Sequence, residues 1–463
     1  MQDYDLIIIG AGPAGSTLAT LVAQSGYKVL ILEKHAFPRY KVGESLLPAT
    51  VRDLADLLGL DRKVFQEHFV SKRGATFSWG AEPDSMWNLN FGGPRSAEPI
   101  LQPEVPSAFN VDRSQFDQIL LDNAIKHGVT VMFNCTAQNY IEIDGVVTGI
   151  SYIDEQWQVI SLTARFVADA SGQNSKLARA MGKRTFSSFF KKMAVWGYYD
   201  NAARIAKPFE GNVFLEANKG SWIWHIPISD KVTSVGIVAP AGDFTRDLDA
   251  DAYLESKTSA SPRIRNLLQG STRSSRPPYN ETRVCSDYSY CYASFFKPGA
   301  LVLGDAACFV DVLLSSGVHL ATYAAVLAAQ SIKSVLKGEL SERVAMTEYE
   351  VRLRKEYAIF YDGLVGLYDM SKGEDDYIQW LRTLLIDTSG IAFEPESLAV
   401  THVTPDNELR LFAQSQKNLA AMREHNLQQL SYDGHARMFT NKLPDLGYTL
   451  VPSDDMRSWL RVI

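Results

Sequence analysis

Gly10-Ala11-Gly12-Pro13-Ala14-Gly15 follows directly on the apolar run Leu6 to Ile9, and Glu33 stands about 20 residues further on. Such glycines let a backbone approach a pyrophosphate, the following helix offers N–H groups to it, and the acid can accept from a ribose hydroxyl. That is dinucleotide-binding chemistry. A second pattern is Gly220-Ser221-Trp222-Ile223-Trp224-His225-Ile226-Pro227, whose indoles alternate and so share one face of a strand. Taken alone, such a pair is more often core packing than a functional wall. A third is Ser315-Ser316-Gly317, which opens an apolar stretch from Val318 to Leu336. Serine is a favoured helix cap, and the capping turn presents N–H groups that attract an anion, so both readings hold together.

The elements that must carry these residues can be read in outline. Leu6–Ile9, an apolar helix to Gly26 and a strand over 28–32 make a βαβ unit. Asn110-Val111-Asp112-Arg113 opens a helix with Phe116, Ile119, Leu120 and Ala124 at helical spacing, closed by Gly128. Phe166 to Gly172 and Ala300 to Ala307 each read as a buried strand stopping at an acid, Asp169 and Asp305. The nucleotide-binding segments are therefore about 1–70, 108–175 and 285–340. Segments about 71–107 and 176–284, richer in aromatics and polar alternation, read as an antiparallel substrate sheet inserted between them. Together they make an α/β core of about 340 residues, followed by a helical C-terminal region over 341–463. Within that region Tyr349, Leu353, Tyr357, Phe360 and Leu364 are spaced for one buried helix face.

Composition narrows the class. A formal charge of −7 argues against general nucleic-acid binding, which needs a basic surface. Cys135, Cys285, Cys291 and Cys308 are scattered without a CxxC pair and read as reduced thiols. Neither a signal peptide nor a membrane-length apolar run is visible, so a cytoplasmic protein is expected. His225 and His319 lack partners at metal-ligand spacing, and no metal site is expected.

The order of GxGxxG, Val42-Gly43-Glu44-Ser45, Val111-Asp112-Arg113, Asp169-Ala170-Ser171-Gly172 and Gly304-Asp305-Ala306-Ala307 resembles the single-component FAD-monooxygenase-like fold of aromatic hydroxylases. With Trp222-Ile-Trp-His-Ile-Pro227, which matches WxWxIP, it is similar to the flavin-dependent halogenases. The run from Gly304 to Ala321 resembles the branch acting on phenols and pyrroles, often tethered to a carrier protein. The resemblance covers residues 1 to about 340. It implies that Gly10, Gly12, Gly15 and Glu33 hold the ADP half of FAD, with Pro13, Ala14 and Lys34 also binding the cofactor. It puts Arg39 and Arg113 beside the cofactor, Asp305 on the ribityl chain, Val318 next to the flavin, and Glu44 and Ser45 near its ring. Ser316 and Gly317 resemble the halide site, Trp222 and Trp224 the barrier between flavin and substrate, and Lys72 the family's essential lysine. Without the resemblance Lys72 would pass for a solvated lysine. One departure is Val312, where the family usually has proline; loss of the fixed φ is expected to loosen the turn leading to the halide site.

The chemistry implied is halogenation in natural-product biosynthesis. A flavin hydroperoxide formed from reduced FAD and O2 oxidises chloride or bromide to hypohalous acid. This oxidant passes to Lys72, and an electron-rich aromatic ring takes the halogen. No second GxGxxG unit is visible, as is also true of single-component hydroxylases; together with the resemblance this implies a separate flavin reductase as the source of reduced FAD. Two other functions fit the same fold: an aromatic hydroxylase or reductase, against which Lys72 and the tryptophans argue, and a FAD-binding redox protein without turnover.

Overall fold

The computed structural model describes residues 2–78, 86–90, 108–187, 189–218, 220–243, 249–286, 288–370, 449–452 and 459–462. Asp287 therefore lies outside the described residues, as do parts of the 71–107 segment. Eight helices are assigned among them: α1 (Pro13–Ala23), α2 (Pro48–Leu58), α3 (Lys63–His68), α4 (Arg113–Lys126), α5 (Ala250–Ala260), α6 (Pro262–Leu267), α7 (Ser316–Leu336) and α8 (Glu342–Met370).

The nucleotide sheet is built on Tyr4–Ile9, which pairs in parallel with Val29–Leu32 on one side and Val159–Asp169 on the other. Thr130–Met132 and Ala300–Val302 extend it, also in parallel. Leu6, Ile7 and Ile8 are fully buried, as an apolar strand covered on both faces requires. In such sheets ligands bind beyond the carboxyl ends of the strands. Those ends are the positions of Gly10, Glu33, Asp169 and Asp305.

The second sheet runs in the order Thr272–Arg273, Lys192–Asp200, Val232–Pro240, Ser221–Pro227, Val213–Asn218, Gly74–Ser78, Met86–Asn90. It is antiparallel except where Val213–Asn218 pairs with Gly74–Ser78. The strand period sorts its side chains. Val195, Tyr199, Ile223, Val235 and Ile237 pack in one cluster with Tyr253, Leu254 and Ile264 of α5 and α6. Ala194, Trp196, Tyr198, Trp222 and Trp224 join the main core instead. His225 is buried, and burial holds its ring at about 4, hence neutral.

Helix α8 buries Tyr349, Leu353, Tyr357, Phe360 and Leu364 as the spacing predicts. Tyr349 Oη donates to the Val302 carbonyl at 2.6 Å, fastening α8 to the nucleotide sheet. The C-terminal region, read as helical over 341–463, also carries strands at its end. Thr449–Pro452 and Trp459–Val462 form an antiparallel hairpin, and residues 371–448 lie outside the described residues. The hairpin is anchored on α7, because buried Trp459 donates from its backbone to Ser334 Oγ and from its indole to Ser331 Oγ, both at 3.1 Å. Arg352 lies 4.7 Å over that indole.

Candidate active site

A cavity of about 510 Å³ lies between the two sheets. At its nucleotide end Gly10 has φ +99°, and a Cβ there would fall 2.6 Å from the Ala170 carbonyl oxygen. The strand ends can approach this closely only with glycine at the turn. Helix α1 starts at Gly12 and Pro13 with no side-chain cap, which leaves its first-turn N–H groups available to a phosphate. Glu33 is buried; its carboxylate accepts from Ala11 N at 2.8 Å and His35 N at 3.0 Å. The acid thus braces the glycine turn, and its remaining lone pairs can still take a ribose hydroxyl.

Arg39 and Arg113 share one buried acid, Asp117. Arg39 Nη1 donates to Asp117 Oδ2 at 3.0 Å, and Arg113 donates through Nε (2.8 Å) and Nη2 (3.1 Å). Arg113 Nη1 also donates to the Val42 carbonyl at 2.6 Å, holding the Val42–Gly43 loop. Arg39 lies against Gly12, 3.2 Å from where a Cβ would stand. Burial raises the Asp305 carboxyl, while Lys41 and Arg113 favour its charged form. Bare glycines, uncapped helix amides and an anchored arginine pair form a cradle that fits FAD.

At the other end stand the indoles. Trp222 and Trp224 line the cavity from one strand, and Trp196 joins them from the next-but-one. Ring centroids are 5.9 Å apart for Trp222–Trp224 and 6.4 Å for Trp196–Trp224. Each indole N–H is committed: Trp222 to Tyr368 Oη (2.8 Å), Trp224 to Ser234 Oγ (3.1 Å) and Trp196 to Tyr40 Oη (2.8 Å). Tyr40 and Tyr198 hydroxyls lie 2.7 Å apart, and Tyr198 donates to Glu44 at 2.5 Å. Burial pushes the Glu44 carboxyl up to about 7.

Helix α7 starts at Ser316 behind Ser315, whose φ is +57°. No side chain caps it, and Ser316, Gly317 and Val318 line the cavity together with Phe309. The turn before it hangs on Asp311, whose carboxylate accepts from Leu313 N at 2.9 Å. Ser316 Oγ donates to the Asp311 carbonyl at 3.3 Å. Valine at 312 leaves this turn without proline's fixed φ, and the Leu313 and Ser316 bonds to Asp311 hold it.

Lys72 closes the strand Val70–Lys72, which pairs with Ala108–Asn110. Its side chain is 2% exposed, and its Nζ donates to Ser45 Oγ at 2.7 Å and the Leu46 carbonyl at 3.2 Å. Burial brings the ammonium down to about 7. Lys72 does not itself line the cavity, but Ser45 does.

Of the residues singled out from sequence, the structure brings all to this cavity except Gly15, which packs against the Gly10 carbonyl, and Lys72, one hydrogen bond behind it. Sequence reading missed Asp117, Trp196, Tyr198 and Tyr368. Asp117 had a signal, the i,i+4 spacing from Arg113. The others are joined to the site across more than 140 residues of chain and had none.

These features define a FAD-dependent enzyme. The tryptophan halogenase family model matches residues 5–100 and 94–389. A tryptophan 2-halogenase of Chondromyces crocatus is 32% identical over 398 residues, 83% of this chain and 72% of its own. A 1H-pyrrole-2-carbonyl peptidyl-carrier-protein chlorinase of Pseudomonas fluorescens is 30% identical over 389 residues, 80% of this chain and 84% of its own. The solved structure of the myxobacterial chondrochloren halogenase CndH, an FAD-dependent halogenase, superposes with TM-score 0.79 at 36% identity, covering 99% of both chains. The chain belongs to the flavin-dependent halogenases. It is an oxidoreductase that uses FAD, halide and O2. No helix among the described residues is long and apolar enough to cross a membrane.

Proposed function

We propose that the protein chlorinates or brominates a phenol or pyrrole ring carried on an acyl or peptidyl carrier protein, with Lys72 directing the halogen, in natural-product biosynthesis. The carrier reading is supported by two relatives named as halogenases of 1H-pyrrole-2-carbonyl on a peptidyl carrier protein, a chlorinase and a brominase. The observation that carries the reading is Lys72 itself, buried, hydrogen-bonded to cavity-lining Ser45 and brought to about 7.

Gly10, Gly12, Pro13, Ala14, Gly15, Glu33 and Lys34 hold the ADP portion, with Arg39, Arg113, Asp305 and Val318 along the rest of the cofactor. Bound reduced FAD with O2 supplies the oxidising power that turns halide into hypohalous acid. Ser316 and Gly317 present halide at the start of α7, where N–H groups and helix dipole favour an anion. Trp222 and Trp224, backed by Trp196, keep the aromatic substrate away from the cofactor, so only a small oxidant crosses. Lys72 receives it. As an ammonium it donates a hydrogen bond to the oxidant's oxygen; as an amine it takes the halogen, and water leaves with the amine proton and the hydroxyl. Arginine would remain protonated and could do only the first. A flavin reductase supplies reduced FAD, and a reducing cytoplasm suits four cysteines outside any disulfide.

The test is a reductase-coupled assay with chloride or bromide on free and carrier-tethered phenols and pyrroles, read by mass spectrometry. Halogen isotope patterns confined to tethered rings are expected. Halogenation of free tryptophan with no reaction on tethered rings would overturn the substrate class. Oxygenated product formed at an undiminished rate without halide would favour the hydroxylase.

A further inference from the structure

Trp222 and Asp311 belong to different parts of the proposed machinery, one to the barrier and the other to the turn ahead of the halide site. A single hydroxyl joins them. Trp222 Nε1 donates to Tyr368 Oη at 2.8 Å, and Tyr368 Oη donates to Asp311, 3.2 Å from each carboxylate oxygen. Asp311 is fully buried, and Trp222 and Tyr368 nearly so. Tyr368 comes from α8, outside both sheets, and is wedged edge-on against Phe189 and Phe190 with Lys192 Nζ 5.0 Å over its ring. With Asp311 ionised the chain runs from indole to carboxylate, because an indole nitrogen only donates and a carboxylate only accepts.

We propose that Tyr368 is a positioning residue for halide: it locks the turn from Asp311 to Gly317 to the tryptophan barrier, so that halide affinity depends on a residue of α8 and on Trp222. This rests on the halide site assigned to Ser316 and Gly317 above. The physical basis is that the Asp311 carboxylate organises the turn by accepting from Leu313 N while its backbone carbonyl takes the Ser316 hydroxyl. Burial raises Asp311 to about 7, so each donor that favours its charged form matters to the turn. Tyr368 is such a donor, and it is the one that reports the position of the barrier.

The experiment is a titration of chloride and bromide into oxidised, FAD-loaded protein, read without turnover as the halide-induced change in flavin absorbance. Tyr368→Phe conserves shape and removes the hydroxyl, and it should weaken halide binding by about tenfold with FAD affinity unchanged, the scale of a lost hydrogen bond to a charged group. Trp222→Phe should weaken it too, and the double variant should be no worse than Tyr368→Phe alone, because both act through one tie. Halide affinity within twofold of wild type in Tyr368→Phe would sink the proposal, as would fully additive losses. Should Tyr368→Phe fail to fold, Asp311→Asn carries the test, and halide affinity unchanged in that variant overturns the tie. Wild-type protein whose flavin spectrum ignores halide would remove the halide site itself and the proposal with it. That failure is distinct from an unaffected Tyr368→Phe.

Discussion

Trp224 lies over the bare α-carbon of Gly236, its partner in the register between Ser221–Pro227 and Val232–Pro240. A methyl group at 236 would collide with the Trp224 ring and fall 2.5 Å from Trp196 Cβ, which belongs to the opposite neighbouring strand. Two indoles from two strands can close over one cavity because the strand between them carries no side chain there. The indole cluster is thus a property of three strands.

Gly236→Ala should therefore push Trp224 aside, since Trp196 Cβ is fixed to its backbone. A loss of about 1–3 kcal/mol in unfolding free energy is expected, the usual range for overpacking. The more telling readout is leakage. Hypohalous acid trapped by a soluble thioether should rise relative to halogenated product, and an unchanged ratio would mean that Trp224 is not part of a wall.

Asp117→Asn removes the charge that both Arg39 and Arg113 bind. Unpairing buried ions is costly, up to about 3–5 kcal/mol where a partner is lost outright. FAD affinity is expected to fall at least about tenfold, measured by flavin fluorescence on titration, while halide binding to protein saturated with FAD stays intact. Unaltered FAD affinity would dissociate the arginine pair from the cofactor.

Lys72 gives the stability of the protein a pH signature. Its amine titrates at about 7 when folded and about 10.4 in an unfolded chain. Between those values the unfolded state binds more protons, so the folded state gains stability as pH rises through that window. Relative to Lys72→Met, wild type should gain up to roughly 1.4 kcal/mol per pH unit from about pH 7 to 10, and nothing below. Denaturant unfolding at several pH values measures it. Parallel curves for the two proteins would show that Lys72 is not buried as an amine.

NADPH alone should not sustain turnover, and adding a flavin reductase with free FAD should restore it. Efficient turnover by the purified chain with NADPH would remove the reductase from the scheme.

Much of this was legible in order along the chain. The glycine turn, Glu33, the start of α4 and the α8 face follow from local spacing. The tryptophans were legible as a pair because a strand alternates, yet their third member, Trp196, comes from a different strand. Gly236 carried no signal as the residue that makes room for them. Lys72 was legible only by resemblance, because nothing around Ser71-Lys72-Arg73 marks it as buried. Its burial arises from the pairing of Val70–Lys72 with Ala108–Asn110, almost forty residues away. The C-terminal hairpin was missed because its reason lies in α7, in the hydroxyls of Ser331 and Ser334 that receive Trp459.

The separation of the cofactor from Lys72 is tested most directly by Lys72→Ala in the reductase-coupled reaction with chloride, following oxygen uptake and halogenated product together. The variant should bind FAD and consume oxygen at close to the wild-type rate while product falls at least about a thousandfold, the scale of a lost general acid or nucleophile. Product formed at near wild-type yield would contradict the relay and leave Lys72 a buried structural amine.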